Sequence, residues 1–159
     1  MLFNKENLLN TFQSMPDNVS EYIKNIPCDL LDRKRTEDSW TIREHIYHIV
    51  SVQEMLYLRI LNIKNEENPV ITPYFPENEK DIVTRYDSIS EALGWYKECR
   101  QKQSLLINQL SESDLEKEAK HDEYILYNIP IMINHMIFHE YWHLYRIEEL
   151  WLTRDESFK

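Results

Sequence analysis

Half of the six histidines in this chain fall in one short window, residues 133–150, which reads INHMIFHEYWHLYRIEEL. His135, His139 and His143 repeat there at intervals of four. A helix turns about 100° per residue, so side chains four apart diverge by only about 40° and share a face, one turn apart. A neutral imidazole offers a nitrogen lone pair, and two on such a face can bind one metal ion. Three successive turns spread too far for one ion, because each adds about 6 Å along the axis. A third ligand is therefore expected from another helix, and His45 and His48 are the candidates. On a helical wheel His45 sits near the centre of the stripe formed by Ile42, Ile49 and Leu56, and His48 at its edge. Periodicity leans slightly to His45 and leaves the choice open.

The neighbours of these histidines allow plainer readings. Glu140 points about 100° away from His139 and is not read as a general base. Arg146 lies within about 60° of His143 on the wheel. Its guanidinium could hold an anionic substrate group, or pair with Glu140 or Glu149 at the surface, which is the simpler reading. His45 and His135 read as structural residues or as partners of the ligands. His121, within EAKHDEY, reads as a solvated group in a polar linker. Trp40, Trp95, Trp142 and Trp151 read as core or interface anchors, with Trp142 shaping a pocket wall.

Holding imidazoles on separate elements calls for long helices. The 159 residues, 42% hydrophobic, suit one domain, 1–159, with a sizeable core. Gly94 is the single glycine. Tight β-turns and phosphate-cradling loops both rely on glycine for positive φ, so neither is expected. A first helix is read over 4–26 from Leu8, Leu9, Phe12, Val19, Tyr22, Ile23 and Ile26, with Pro16 marking a kink or a fresh first turn. A second, over 39–64, opens on a Thr41/Glu44 capping box and carries the stripe Ile42, Ile46, Ile49, Val52, Leu56, Ile60 and Ile63. Residues 65–87, with three prolines, form a long loop between helices 2 and 3. A third helix runs over 88–118 from a Ser88/Glu91 capping box and grades into a linker, 111–128. The fourth runs over 128–153 with Pro130 in its first turn. Its buried face would hold Ile129, Met132, Met136, His139, His143, Ile147 and Leu150. The fold expected is an all-α four-helix bundle.

Charge narrows the partners. Lys plus Arg number 18 against 28 Asp plus Glu, a formal charge of −10. Such a field repels phosphate backbones, so nucleic acid is not expected as a partner. No apolar run of 18 residues occurs, so no membrane span is expected. The N-terminal MLFNKENLLNTFQ lacks an apolar core and a cleavage site, which makes the cytoplasm the default compartment. Cys28 and Cys99 are read as reduced thiols.

SWTIREHIYHIVSVQE, followed some 90 residues later by HEYWHLYRIEEL, resembles the DinB-like (DinB/YfiT) superfamily of small four-helix bundles. That family's pattern has a Trp at the start of the second helix, a His eight residues later, and HxxxH in the last helix. Here Trp40 precedes His48 by eight, and His139 and His143 form the terminal pair. The resemblance covers nearly the whole chain. It implies His48, His139 and His143 as ligands of one divalent metal ion, and so decides between His45 and His48. Tyr145 and Arg146 depart from the Gly-Gln often found there.

Three neutral imidazoles leave the ion its full charge and an open position, where water can have its pKa lowered to about 7. Nitrogen ligands suit several metals; zinc or nickel is expected ahead of iron or manganese. Binding needs deprotonated imidazoles and should weaken below about pH 6. The resemblance implies a small-molecule substrate and either of two reactions, hydrolysis or S-transfer with a low-molecular-weight thiol such as bacillithiol or mycothiol. It also implies a homodimer, with which the ten tyrosines and four tryptophans are compatible. A non-catalytic, metal-stabilised scaffold or interaction module is the alternative.

Overall fold

Proline at position 16 removes one backbone donor from the first helix without ending it. In the computed structural model, which describes residues 4–74, 85–154 and 156, α1 runs unbroken over Lys5–Ile23 behind an Asn4 cap. The carbonyl that Pro16 leaves without its helical partner is that of Phe12. Arg100 Nη1 donates to it at 2.5 Å from a neighbouring helix. The expected kink or fresh start is thus replaced by one continuous helix with an external donor.

The second predicted helix is two. α2 spans Ile42–Ser51 and α3 spans Gln53–Asn65, parted at Val52. Thr41 caps α2, and the expected capping box with Glu44 is present. Around the break, side chains serve backbone carbonyls: Gln53 Nε2 donates to Ile49 O at 2.7 Å, and Gln103 Nε2 to Gln53 O at 2.7 Å. One displaced residue barely disturbs hydrophobic spacing, which is why the pattern reads as a single helix.

The third helix, α4, covers Ile89–Ile107 and stops well short of 118. Ser111 caps a separate short helix, α5, over Glu112–Glu116, with Asp114 completing a capping box. The residue types that favour a helix here start a new one instead of extending the old. α6 spans Ile129–Leu152, capped by Asn128, with Pro130 in its first turn as expected. Two short segments from the predicted loops pair as parallel strands, β1 (Val70–Ile71) and β2 (Lys120–His121). The middle of the long loop, 75–84, lies outside the described residues.

The rods form the four-helix bundle. α1 and α2 each pack against both α4 and α6, and α3 packs against α4. The apolar core falls into two clusters. One is built around Phe12, Leu56, Ile60, Met132 and Met136. The other is built around Met15, Ile42, Ile46, Ile49, Tyr96 and Ile147. Between them along the helices lies a buried polar layer of Gln53, Arg100, Gln103 and Glu140. Arg100 Nη2 donates to Glu140 Oε1 at 2.5 Å and to Gln53 Oε1 at 3.1 Å, and its guanidinium lies 3.6 Å from the Phe12 ring centroid. Charges this deep persist only when paired and hydrogen-bonded.

Candidate metal centre

Adjacency of α2 and α6 brings their histidines face to face. Ile42, Ile46 and Ile49 anchor α2 in the core, which turns His45 and His48 toward α6. On α6, buried Met136, Ile147 and Leu150 turn His139 and His143 inward. Nε2 of His139 stands 3.2 Å from Nε2 of His48 and 3.1 Å from Nε2 of His143. One ligand nitrogen from each of these three rings lies within 4.8 Å of the others.

These spacings fit a shared cation. Two nitrogens about 2.0–2.1 Å from a tetrahedral zinc stand about 3.3 Å apart. Hydrogen bonding alone satisfies the cluster less well, because His139 Nε2 faces two other Nε2 atoms and can carry only one proton. Burial makes the rings good ligands. Desolvation, with the neighbouring His45, lowers the His48 pKa to about 4. Desolvation, with His48 and His135, lowers that of His139 to about 3. His143 is pushed down further, by desolvation first and then by His139, His48 and His45. All three are therefore neutral near pH 7, as metal binding requires.

His45 stands apart from this set. It is buried, and its Nδ1 lies 2.8 Å from Nδ1 of His143. Desolvation and the nearby Arg146 guanidinium lower its pKa to about 4. Trp40 closes the same region, its ring stacked on His143 at 5.8 Å and tilted against His48 at 5.0 Å. Trp142 meets His143 edge-on at 4.8 Å.

Two cavities flank the imidazoles, and His48 and His139 border both. One, of about 420 Å³, also takes in His45, His143, Trp40, Trp142 and Arg146. Arg146 thus lines the cavity and also pairs with Glu149, which Arg35 approaches at 3.5 Å. The other, of about 270 Å³, is lined by Arg59, His121, Tyr124 and His135 among others.

Several of these residues differ from the sequence expectation. His121 is buried, not solvated, because the β1–β2 pairing carries it inward against the Tyr124 and Tyr127 rings. His135 is exposed, and its Nδ1 lies 2.6 Å from the Tyr124 hydroxyl. Glu140 faces away from the cluster and is fully buried on Arg100. Sequence reasoning missed Arg35, Arg59 and Tyr124 as wall residues. Arg35 and Tyr124 lie outside the two histidine-bearing helices, so no periodic signal marked them; Arg59, eleven residues after His48 and so on the same helical face, carried a signal that was not read.

The sequence model of the DinB superfamily matches residues 11–147 of the chain. A relative from Oceanobacillus iheyensis, named "Putative metal-dependent hydrolase", is 27% identical over 150 residues, covering 92% of this chain and 86% of that protein. Another from Bacillus mycoides, named in the same words, is 25% identical over 111 residues, covering 70% of this chain and 64% of its own length. YfiT from Bacillus subtilis shares the fold with a TM-score of 0.80 at 19% identity, over 93% of this chain and 87% of that one. Its structure is described as "a probable metal-dependent hydrolase with an unusual four-helix bundle topology".

Proposed function

This chain belongs to the DinB superfamily, and from that premise we propose that it is a metal-dependent enzyme acting on a small molecule, with His48, His139 and His143 holding one divalent ion. The observation that carries this reading is the convergence of three neutral Nε2 atoms from two helices. Zinc or nickel suits the all-nitrogen set best, ahead of iron or manganese. A bound ion would supply a Lewis acid that polarises a substrate oxygen or eases ionisation of a coordinated water or thiol.

The chain's own residues prepare that chemistry. Packing against the Ile42/Ile46/Ile49 core and the α6 core residues orients the rings. Trp40 and Trp142 pack against the His143 ring and help hold it in place. Arg146 sets a positive charge at the wall of the larger cavity, where it can orient an anionic substrate group.

Hydrolysis is the reaction that the relatives' names favour. S-transfer from a thiol of the bacillithiol or mycothiol type is a second reading. It draws on the two cavities, which give the cluster room for one reactant on each side. The reading includes a cytoplasmic homodimer; exposed Phe138, Tyr141 and Tyr145 on the outer face of α6 supply apolar surface for the partner copy. Among the described residues, no helix is long and apolar enough to cross a membrane.

Metal analysis of protein purified without an affinity tag tests the site. Wild type should carry about one ion per chain, and His139→Ala or His48→Ala should lose most of it. Equal metal content in wild type and both variants would refute the ligand assignment. A panel of esters and amides, and of electrophiles with candidate thiols, separates the two reactions. Inactivity of the loaded protein toward all of them would favour the scaffold alternative. Light scattering at micromolar concentration that shows only monomer would remove the dimer.

A further inference from the structure

Among the three converging rings, His143 differs in what holds its far nitrogen. Nδ1 of His48 and Nδ1 of His139 are buried and find no hydrogen-bond partner among the described residues. Nδ1 of His143 meets Nδ1 of the buried His45 at 2.8 Å. Two neutral imidazole nitrogens at this distance form one hydrogen bond, with one donor and one acceptor. The rest of the proton count follows from the metal reading.

We propose that His45 is a positioning residue that fixes the tautomer and orientation of His143. This inference rests on the metal-site reading above. A His143 that gives its Nε2 lone pair to an ion must keep its proton on Nδ1. The acceptor is then His45 Nδ1, and the proton that His45 retains is on Nε2. The order is ion, Nε2 of His143, Nδ1–H, Nδ1 of His45, and Nε2–H. No proton is gained or lost along it; each ring stays neutral and only the choice of nitrogen is set.

Two further contacts keep His45 in place for this role. Trp40 lies against it with ring centroids 5.3 Å apart. Trp142 meets it edge-on at 6.1 Å. His45 also lines the larger cavity beside His143. Its retained N–H therefore adds a donor to the wall from which a substrate would approach, a wall suited to an oxygen acceptor and unsuited to a cation.

Outer hydrogen bonds of this kind commonly change metal affinity by about 10- to 100-fold. The variants His45→Phe and His45→Asn separate positioning from packing. Phenylalanine fills the buried volume but accepts no hydrogen bond. Asparagine brings a carbonyl oxygen near the place of Nδ1. Zinc affinity is measured by competition with a chromophoric chelator, on protein whose fold is checked by circular dichroism. His45→Phe should bind about 10- to 100-fold more weakly than wild type, and His45→Asn should recover most of the loss. Long-range nitrogen–proton NMR of the zinc-loaded wild type should show His45 protonated on Nε2 and bare on Nδ1.

Wild-type affinity in His45→Phe, or an equal loss in both variants, would overturn the inference while the metal site stands. Protonation of His45 on Nδ1 would overturn it as well. A wild-type protein that does not bind zinc, nickel, iron or manganese would take down the metal-site reading and this inference together. If His45→Phe does not fold, the NMR assignment and His45→Asn decide.

Discussion

Burial lowers the pKa of His45 and His48 to about 4 and of His139 to about 3, against an ordinary 6.5. In the unfolded chain each regains its ordinary value, so the unfolded state binds more protons at mildly acid pH. Stability from these neutral rings is complete above about pH 6.5 and is lost as pH falls through 6.5 toward 4 and 3. The metal-free protein should therefore need less urea to unfold at about pH 5 than at about pH 8, before most carboxylates titrate. A urea midpoint that stays level over that range would contradict the burial of these rings as neutral groups. The expectation that binding weakens below about pH 6 shifts accordingly. Rings with depressed pKa values hold a metal to lower pH than free imidazoles would. At this scale much of the site was legible. The HxxxH spacing of His139 and His143 is a local property, and a helix converts it directly into a shared face. His121 was misread because its burial depends on a strand partner some 50 residues away, Ile71.

Elements begin where short-range chemistry tells them to. Thr41 and Glu44 close a reciprocal cap at the start of α2, the helix that carries His45 and His48. Thr41→Ala should cost about 1 kcal/mol of stability by urea unfolding, whereas Thr41→Ser should cost little. A loss no larger for alanine than for serine would mean that the cap does not hold this helix end. Ser88 caps α4 as the sequence places it, although the Glu91 carboxylate accepts from Asp87 N and does not close the expected box, and α6 starts where expected, behind Asn128. Ends and breaks inside runs of good helix formers were less legible. α4 stops at Ile107 and the α2–α3 rod parts at Val52, with Gln53 and Gln103 serving carbonyls around the break. Gln53 acts within its own rod, but Gln103 comes from the packed α4, which a local pattern does not contain.

Across the whole molecule, Arg100 joins all four rods. It donates to Phe12 O on α1, Gln53 on α3 and Glu140 on α6, from its own place on α4. Glu140 is the residue next to His139, so this layer and the imidazole cluster share one level of the bundle. Arg100→Met should destabilise the protein by about 3–5 kcal/mol, because it leaves a buried carboxylate unpaired. Removing both charges in Arg100→Met/Glu140→Met should recover much of that loss. A single variant that loses less than about 1 kcal/mol would mean the pair is hydrated and not a tie between helices.

By itself the sequence determined that the chain forms long amphipathic helices, where most of them start, and that two imidazoles share a face on the last. Those facts follow from spacings of three and four residues and from caps that act within one turn. Spacing alone left open which α2 histidine meets that face; the resemblance implied His48, and the tertiary structure supplies the geometry. His45 and His48 both point toward α6, and the rotation and height of one helix against the other put Nε2 of His48 beside His139 and left His45 behind His143. It also decided the partners of Arg100, Gln53 and Glu140. A buried polar group is matched by whatever neighbour packing brings within about 3 Å, and that neighbour lies tens of residues away along the chain.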